Sequence, residues 1–289
     1  MKSKPARIAA AWSAAFALLA CIVSSTSTPA AEASGPAAQV SVIGGQEATP
    51  GSYPFMAFVV YFENEKAVLS CTGTVIAPRV ILTAAHCLFN PESKAPLDAS
   101  GYRVVTGVVN WTDPQRQVSG VTRPIPYPKF VPGAVSKFGD AALLVLATPT
   151  TAPPIPIATR PNARYLRLGA HARVAGWGMT YFSEPAEGAE QIEPTESLMW
   201  ARTVVEGSRC EGLWGRICAI DFPKATSGVC HGDSGGPLFA SNRKGGWVEI
   251  GITQAVFGNC ATQRPQLFTR TDLLSKWIKG RVQKIEALP

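Results

Sequence analysis

Gly232-Asp233-Ser234-Gly235-Gly236-Pro237 sets one serine inside a run of glycines. Glycine has no Cβ and turns the backbone where other residues are strained. Such a turn leaves the Ser234 hydroxyl and the Gly232 and Ser234 amides pointing outward, which is how backbone donors form an oxyanion hole. A polar turn in a β protein reads the same way, so the run gains meaning only from partners elsewhere in the chain.

Serine is a weak nucleophile until a base takes its proton, and histidine is the usual base because its pKa lies near working pH. The candidates are His86, His171 and His231. His86 sits in Thr83-Ala84-Ala85-His86-Cys87, directly after the strand-like Val80-Ile81-Leu82. It therefore lies at a strand end, beside a cysteine. His231 precedes Ser234 by three residues, and His171 is flanked by small residues.

These two motifs resemble the histidine and serine signatures of chymotrypsin-like serine proteases. The likeness runs from about Val42 to the C-terminus. Val42-Ile43-Gly44-Gly45 resembles the mature N-terminus of that family, and Gly176-Trp177-Gly178 its mid-chain Gly-Trp-Gly. Cys71 and Cys87 are 16 residues apart, as in the family's histidine loop. The resemblance implies an all-β fold of two six-stranded antiparallel β-barrels with a C-terminal α-helix. It also implies the disulfides Cys71–Cys87, Cys210–Cys218 and Cys230–Cys260.

Between His86 and Ser234 lie Asp98, Asp113, Asp140 and Asp221, besides Asp233 itself. Asp140 precedes Ala141-Ala142-Leu143-Leu144-Val145-Leu146 and resembles the family's aspartate at the head of a buried strand. By that likeness His86, Asp140 and Ser234 form the triad, with Asp140 fixing the tautomer of His86. Gly232 and Ser234 supply the oxyanion hole. Asp233 would pair with the ammonium of Val42, freed by cleavage after Ser41. Ser41 departs from the arginine or lysine often found before that cut.

The specificity pocket follows from the same alignment. Gly228 and Val229 stand where trypsin-like members carry an aspartate, so a preference for Lys or Arg is not expected. Gln254, Ala255 and Val256 replace the common Ser-Trp-Gly strand. Val256 narrows the entrance and Gln266 fills the base. The expectation is an elastase-like preference for small or medium apolar residues, with a polar side chain as the alternative that Gln266 leaves open. The unusual Gln254-Ala255-Val256 strand also keeps open a binding protein on the same fold with catalysis lost. An α/β-hydrolase esterase is excluded, because it needs a histidine after the serine and none follows Ser234.

The bulk numbers agree. The chain has 289 residues, 46% hydrophobic and 16% charged, enough for a sizeable core. Frequent Gly (26) and Pro (24) between short apolar runs favour turn-rich β structure. Strand candidates are Phe55–Tyr61, Val75–Leu82, Ala141–Ala147, Ala172–Trp177, Leu198–Val205, Glu249–Thr253 and Leu267–Arg270. Pro149, Pro153, Pro154, Pro156 and Pro161 mark a connector between two halves. Leu273, Leu274, Trp277, Ile278, Val282 and Ile285 recur at helical spacing, a closing amphipathic helix over 271–286. The first barrel spans about 42–150 and the second about 160–270.

The start of the chain reads as an export signal over 1–33, with Lys2, Lys4 and Arg7 before the apolar run Ile8 to Val23. Residues 34–41 read as a pro-segment, and 42–289 as the peptidase domain. Leu18-Leu19-Ala20-Cys21 resembles a bacterial lipoprotein signal, which would anchor the protein through a lipid on Cys21. Without that anchor the protein is secreted. The six remaining cysteines fit an oxidising compartment. A net charge of +7 without a Lys/Arg cluster argues against nucleic acid. No metal and no organic cofactor is expected. Protein or peptide substrates and protein inhibitors are the expected partners of a monomer.

Overall fold

A computed structural model describes residues 42–134, 137–159, 164–179, 194–206, 214–221, 224–242, 245–256, 260 and 264–287. The expected signal, the pro-segment, Cys21 and Cys210 lie outside the described residues.

A short strand β1 (Gln46–Glu47) is followed by β2 (Met56–Glu63), β3 (Lys66–Ala77), β4 (Val80–Thr83), β5 (Tyr102–Thr106), β6 (Gln117–Pro126) and β7 (Ala142–Leu146). Strands β2 to β7 close into an antiparallel barrel in the order β2-β3-β4-β7-β6-β5. The tight β2–β3 hairpin turns on Asn64 and Glu65, both at positive φ (48° and 67°), the twist that two-residue hairpins favour. β4 and β7 are buried along their whole length, which is why they read as continuous apolar runs.

The second set comprises β8 (His171–Gly176), β9 (Met199–Glu206), β10 (Arg216–Ile220), β11 (Pro237–Ser241), β12 (Trp247–Ala255) and β13 (Gln266–Arg270). It closes in the ring β8-β9-β10-β13-β12-β11, and β1 adds to the outside of β9. In β9 buried residues alternate with more exposed ones, the pattern of a strand with one face on a core.

One expected strand is two. The apolar run Val75–Leu82 is the end of β3, a reversal at Pro78-Arg79, and β4, with Ala77 opposite Val80. Pro78 has no N–H to give to a ladder, so the run cannot continue straight.

The barrels meet over an aromatic core. Phe55 and Phe58 from the first pack with Ala175, Trp177, Leu198 and Phe239 from the second. Trp177 is fully buried, 5.8 Å from Phe58 by ring centres, and its indole N–H donates to the Val109 carbonyl at 2.9 Å. Burying such a ring contributes about 3 kcal/mol by area.

Helix α1 (Thr271–Glu286) leaves the second barrel and returns over the first. Its buried face, Leu274, Ile278 and Ile285, joins the first barrel's core, while Lys276, Lys279, Arg281 and Lys284 stay exposed. Tyr127 and Trp277 meet edge to face at 5.2 Å. Among the described residues, no helix is long and apolar enough to cross a membrane.

Cys71 bonds to Cys87 and Cys230 to Cys260. The first closes a loop of 16 residues, worth on the order of 3 kcal/mol by chain entropy. Cys218 is also disulfide-bonded.

Candidate active site

The sheet register of the first barrel brings a histidine and an aspartate together. Thr83 ends β4 opposite Ala142 at the start of β7. The chain leaving β4 turns into a 3-10 helix, Ala85–Leu88, that carries His86. The chain entering β7 carries Asp140. Asp140 Oδ2 lies 2.7 Å from His86 Nδ1, and Asp140 Oδ1 accepts the His86 backbone N–H at 2.9 Å. Both oxygens of one carboxylate therefore hold one residue, fixing the ring's position and tilt. The Cys71–Cys87 disulfide and the Tyr102 hydroxyl, which donates to the Cys87 carbonyl at 2.9 Å, hold the helix itself.

Asp140 is buried and the His86 side chain is 35% exposed. Burial lowers the His86 pKa, but the Asp140 charge and hydrogen bond outweigh it and hold it above its ordinary 6.5. With Nδ1–H given to the carboxylate, Nε2 is the ring's free acceptor. His171 and His231 are both exposed.

Ser234 is half-buried, in a loop clamped from both barrels. From the first, the Thr72 amide donates to the Ser234 carbonyl at 2.8 Å, and Thr72 Oγ1 donates to the Gly232 carbonyl at 3.0 Å. From the second, the Gly235 amide donates to the Thr253 carbonyl at 2.9 Å, and the Thr253 amide donates to Gly236 at 2.8 Å. The Cys87 sulfur, which carries no proton, packs 3.8 Å from the Ser234 carbonyl, setting the loop beside the His86 helix. Gly232 has φ +92°, and a Cβ on Gly235 would fall 2.1 Å from Thr83 Oγ1. Among the described residues, the Gly232 and Ser234 amides donate to no protein acceptor.

Asp233 is fully buried behind this loop. Its Oδ1 accepts the Gly178 amide and its Oδ2 the Cys230 amide, each at 2.8 Å. Burial pushes its pKa up to about 7, against the lowering effect of those two amides. This explains Gly176-Trp177-Gly178: a Cβ on Gly176 would lie 2.1 Å from Asp233 Oδ1, and one on Gly178 2.5 Å from Asp233 Cγ. Val42 is fully buried and packs with Val229 in the second barrel's core, and Ile43 bridges to Gly228.

The expected pocket residues divide. Gln266 lies directly over Gly228, where a Cβ would fall 1.6 Å from Gln266 Nε2. Its Oε1 is buried and, among the described residues, has no hydrogen-bond partner. Val229 is core, and Val256 is half-buried against that core. Gln254 lines a cavity of about 270 Å³ together with His86, Asp140, Leu69, Phe89 and Phe130.

Arg216, in β10, was not among the expected site residues. It is 8% exposed, and its Nε donates to Gln254 Oε1 at 3.0 Å. Thr269 Oγ1 donates to the same oxygen at 3.2 Å. A single arginine opening the short run Arg216-Ile217-Cys218-Ala219-Ile220 looks like a strand edge, and its only sequence signal is a cation next to an otherwise buried strand.

A family model described as Trypsin matches residues 42–278. The chain is 30% identical to mast cell protease 2 of Ovis aries over 242 residues, 82% of this chain and 89% of that protein. It is 31% identical to chymotrypsin-C of Bos taurus over 258 residues, covering 84% and 89%. It is 31% identical to granzyme H of Homo sapiens over 256 residues, covering 84% and 92%. The paired barrels, the loop around Ser234 and these matches lead to one conclusion: the chain belongs to the trypsin family and is a serine endopeptidase.

Proposed function

We propose that the protein is a secreted endopeptidase that cuts after small or medium apolar residues, with His86 as base, Asp140 as its orienting acid and Ser234 as nucleophile. The observation that carries the triad is the hold of both Asp140 oxygens on His86, beside the clamped Ser234 loop. His86 Nε2 takes the Ser234 proton while Oγ attacks the substrate carbonyl. The Gly232 and Ser234 amides receive the oxyanion, and the imidazolium, steadied by Asp140, protonates the leaving amine. Water then repeats the sequence on the acyl-enzyme.

Val42 and Asp233 form the activation pair in this reading. A buried carboxylate without a counter-charge is unfavourable, and a new ammonium at Val42 relieves it. The buried seat of Val42 supports this. Gln266 over Gly228 supports the small pocket, and the absence of an acidic residue at 228 supports a non-tryptic preference. Residues 1–33 act as the export signal and 34–41 as the pro-segment, and the disulfides agree with export. Substrates are proteins or peptides, and the enzyme works as a monomer.

Mature protein, cut before Val42, is treated with a fluorophosphonate and the label mapped. Labelling at Ser234 is expected, and processed protein that stays unlabelled there overturns the triad. A peptide-library assay showing cleavage after Lys, Arg or large aromatics overturns the pocket.

A further inference from the structure

Two contacts of Arg216 and one of its neighbour Gly215 tie the start of β10 to the surroundings of the His86–Asp140 pair. First, Arg216 Nε bonds to Gln254 Oε1, and Gln254 shares the cavity wall with His86 and Asp140. Second, one terminal nitrogen donates to the carbonyl of Lys137, three residues before Asp140. Third, Phe138 covers Gly215 so closely that a Cβ there would fall 2.3 Å from Phe138 Cδ2, locking the 137–140 segment onto the start of β10. The charge of Asp140 is felt at the guanidinium and opposes the lowering by burial. An arginine in such a place stays protonated.

A cation sealed in this way has few reasons to be there for stability. Its aliphatic stem could be replaced by methionine or leucine without the cost of desolvating a charge. Gln254 is matched to it: the Oε1 that receives the guanidinium Nε also receives Thr269, so two donors fix the side of the amide that faces Arg216. A serine at 254 would be too short to reach.

We propose that Arg216 is a positioning residue for the triad: aimed by Gln254, it fixes a positive charge behind Asp140 and so sets the pH range over which His86 works as a base. This rests on the triad reading above. The cation favours ionised Asp140 and disfavours the imidazolium, so it opposes the pull that Asp140 exerts on His86. The other charged groups near the pair are few. Lys94 lines the same cavity but is exposed, with its ammonium bonded to the Pro91 carbonyl. The neighbouring side chains from β3, β12 and β13, Leu69, Gln254 and Thr269, are neutral.

The test is the pH profile of kcat/KM for processed wild type, Arg216→Met and Arg216→Lys, with working Ser234 counted on a separate aliquot of each by fluorophosphonate labelling. In Arg216→Met the acid limb moves up by about one pH unit, the effect of a unit charge at this range in a protein interior. In Arg216→Lys, which keeps the charge but loses the planar fork, the limb stays near wild type while kcat falls. If Arg216→Met does not fold, Gln254→Leu takes its place: the charge is no longer aimed, and the limb moves up by a smaller step. Wild type that fails to label at Ser234 removes the triad reading on which the idea rests. Variants whose separate aliquot labels at Ser234 but whose acid limb stays put, or moves down, overturn the role of Arg216 and leave the triad standing.

Discussion

The amide of Gln266 occupies the space in front of Gly228 so fully that not even a methyl group fits between them. Gly228 is thereby tied to Gln266, and in the proposed reading this side chain raises the floor of the specificity pocket. Replacing Gln266 with glycine should open it. Hydrolysis after Leu or Phe is expected to rise about 10- to 100-fold relative to hydrolysis after Ala, the range for a few methylenes in an apolar pocket. Competing peptide substrates read out by mass spectrometry check this.

Asp140→Asn should leave the fold intact and lower kcat by about 10⁴, because an amide no longer selects the Nδ1–H tautomer. If His86 is the base, as proposed, it must be neutral to act, and Asp140 holds its pKa above the ordinary value. Activity of the wild type should therefore fall as pH drops below neutrality, with a single ionisation on the acid side. A pH series of initial rates against one peptide measures both effects.

Glu249 is fully buried on β12, its Oε2 accepting from Thr74 Oγ1 of the first barrel at 2.6 Å and its Oε1 without a partner among the described residues. Burial pushes its pKa up to about 8 from 4.5, despite that hydrogen bond. A carboxyl raised on folding stabilises fully below its unfolded pKa and loses that stabilisation as pH rises through the folded value. The loss therefore falls between pH 4.5 and about 8, and amounts to about 5 kcal/mol at most. Glu249→Gln should flatten this slope, being no more stable than wild type at pH 5 and more stable at pH 8. Urea midpoints at several pH values decide it.

Asp233 gives uncut and cut protein opposite slopes. In the uncut chain its pKa is raised from 3.8 to about 7, so its contribution is lost as pH rises across that window. Once a Val42 ammonium pairs with it, the ionised form is favoured, and stability is instead lost as pH falls. Asp233→Asn should remove both trends and lower the activity of cut protein by about 100-fold or more, since the oxyanion loop loses its brace. Thermal melts of both forms between pH 4 and 8 test the sign.

Much of this molecule was readable in its residues, for physical reasons that differ from place to place. Gly232-Asp233-Ser234-Gly235-Gly236 was legible because backbone crowding leaves no choice: side chains at 235 and 236 would strike Thr83 and the Ala175 carbonyl. The closing helix was legible because its buried positions follow a 3.6-residue period against a flat barrel wall. Val75–Leu82 misled because two buried strands and the turn between them are all apolar apart from Pro78 and Arg79. Strands β5, β6, β10 and β11 carried too little alternation to stand out, β6 with Arg123, Pro124 and Pro126 among its last four residues. Arg216 escaped notice for a related reason. Its meaning lies in its contacts with Gln254 on β12 and with the Lys137 carbonyl, a proximity that only the closed sheet creates.

Thr72 offers a last consequence. One residue of β3 grips both Ser234 and Gly232, and its carbonyl also receives Thr83 Oγ1 at 2.8 Å from the strand that leads to His86. The Ser234 loop, although it belongs to the second barrel, is stitched into the wall of the first. The two halves are thus denied a hinge: any opening wide enough to swing them apart would tear Ser234 from its seat before it admitted a substrate. In the proposed reading, a peptide would reach Ser234 without the two barrels parting.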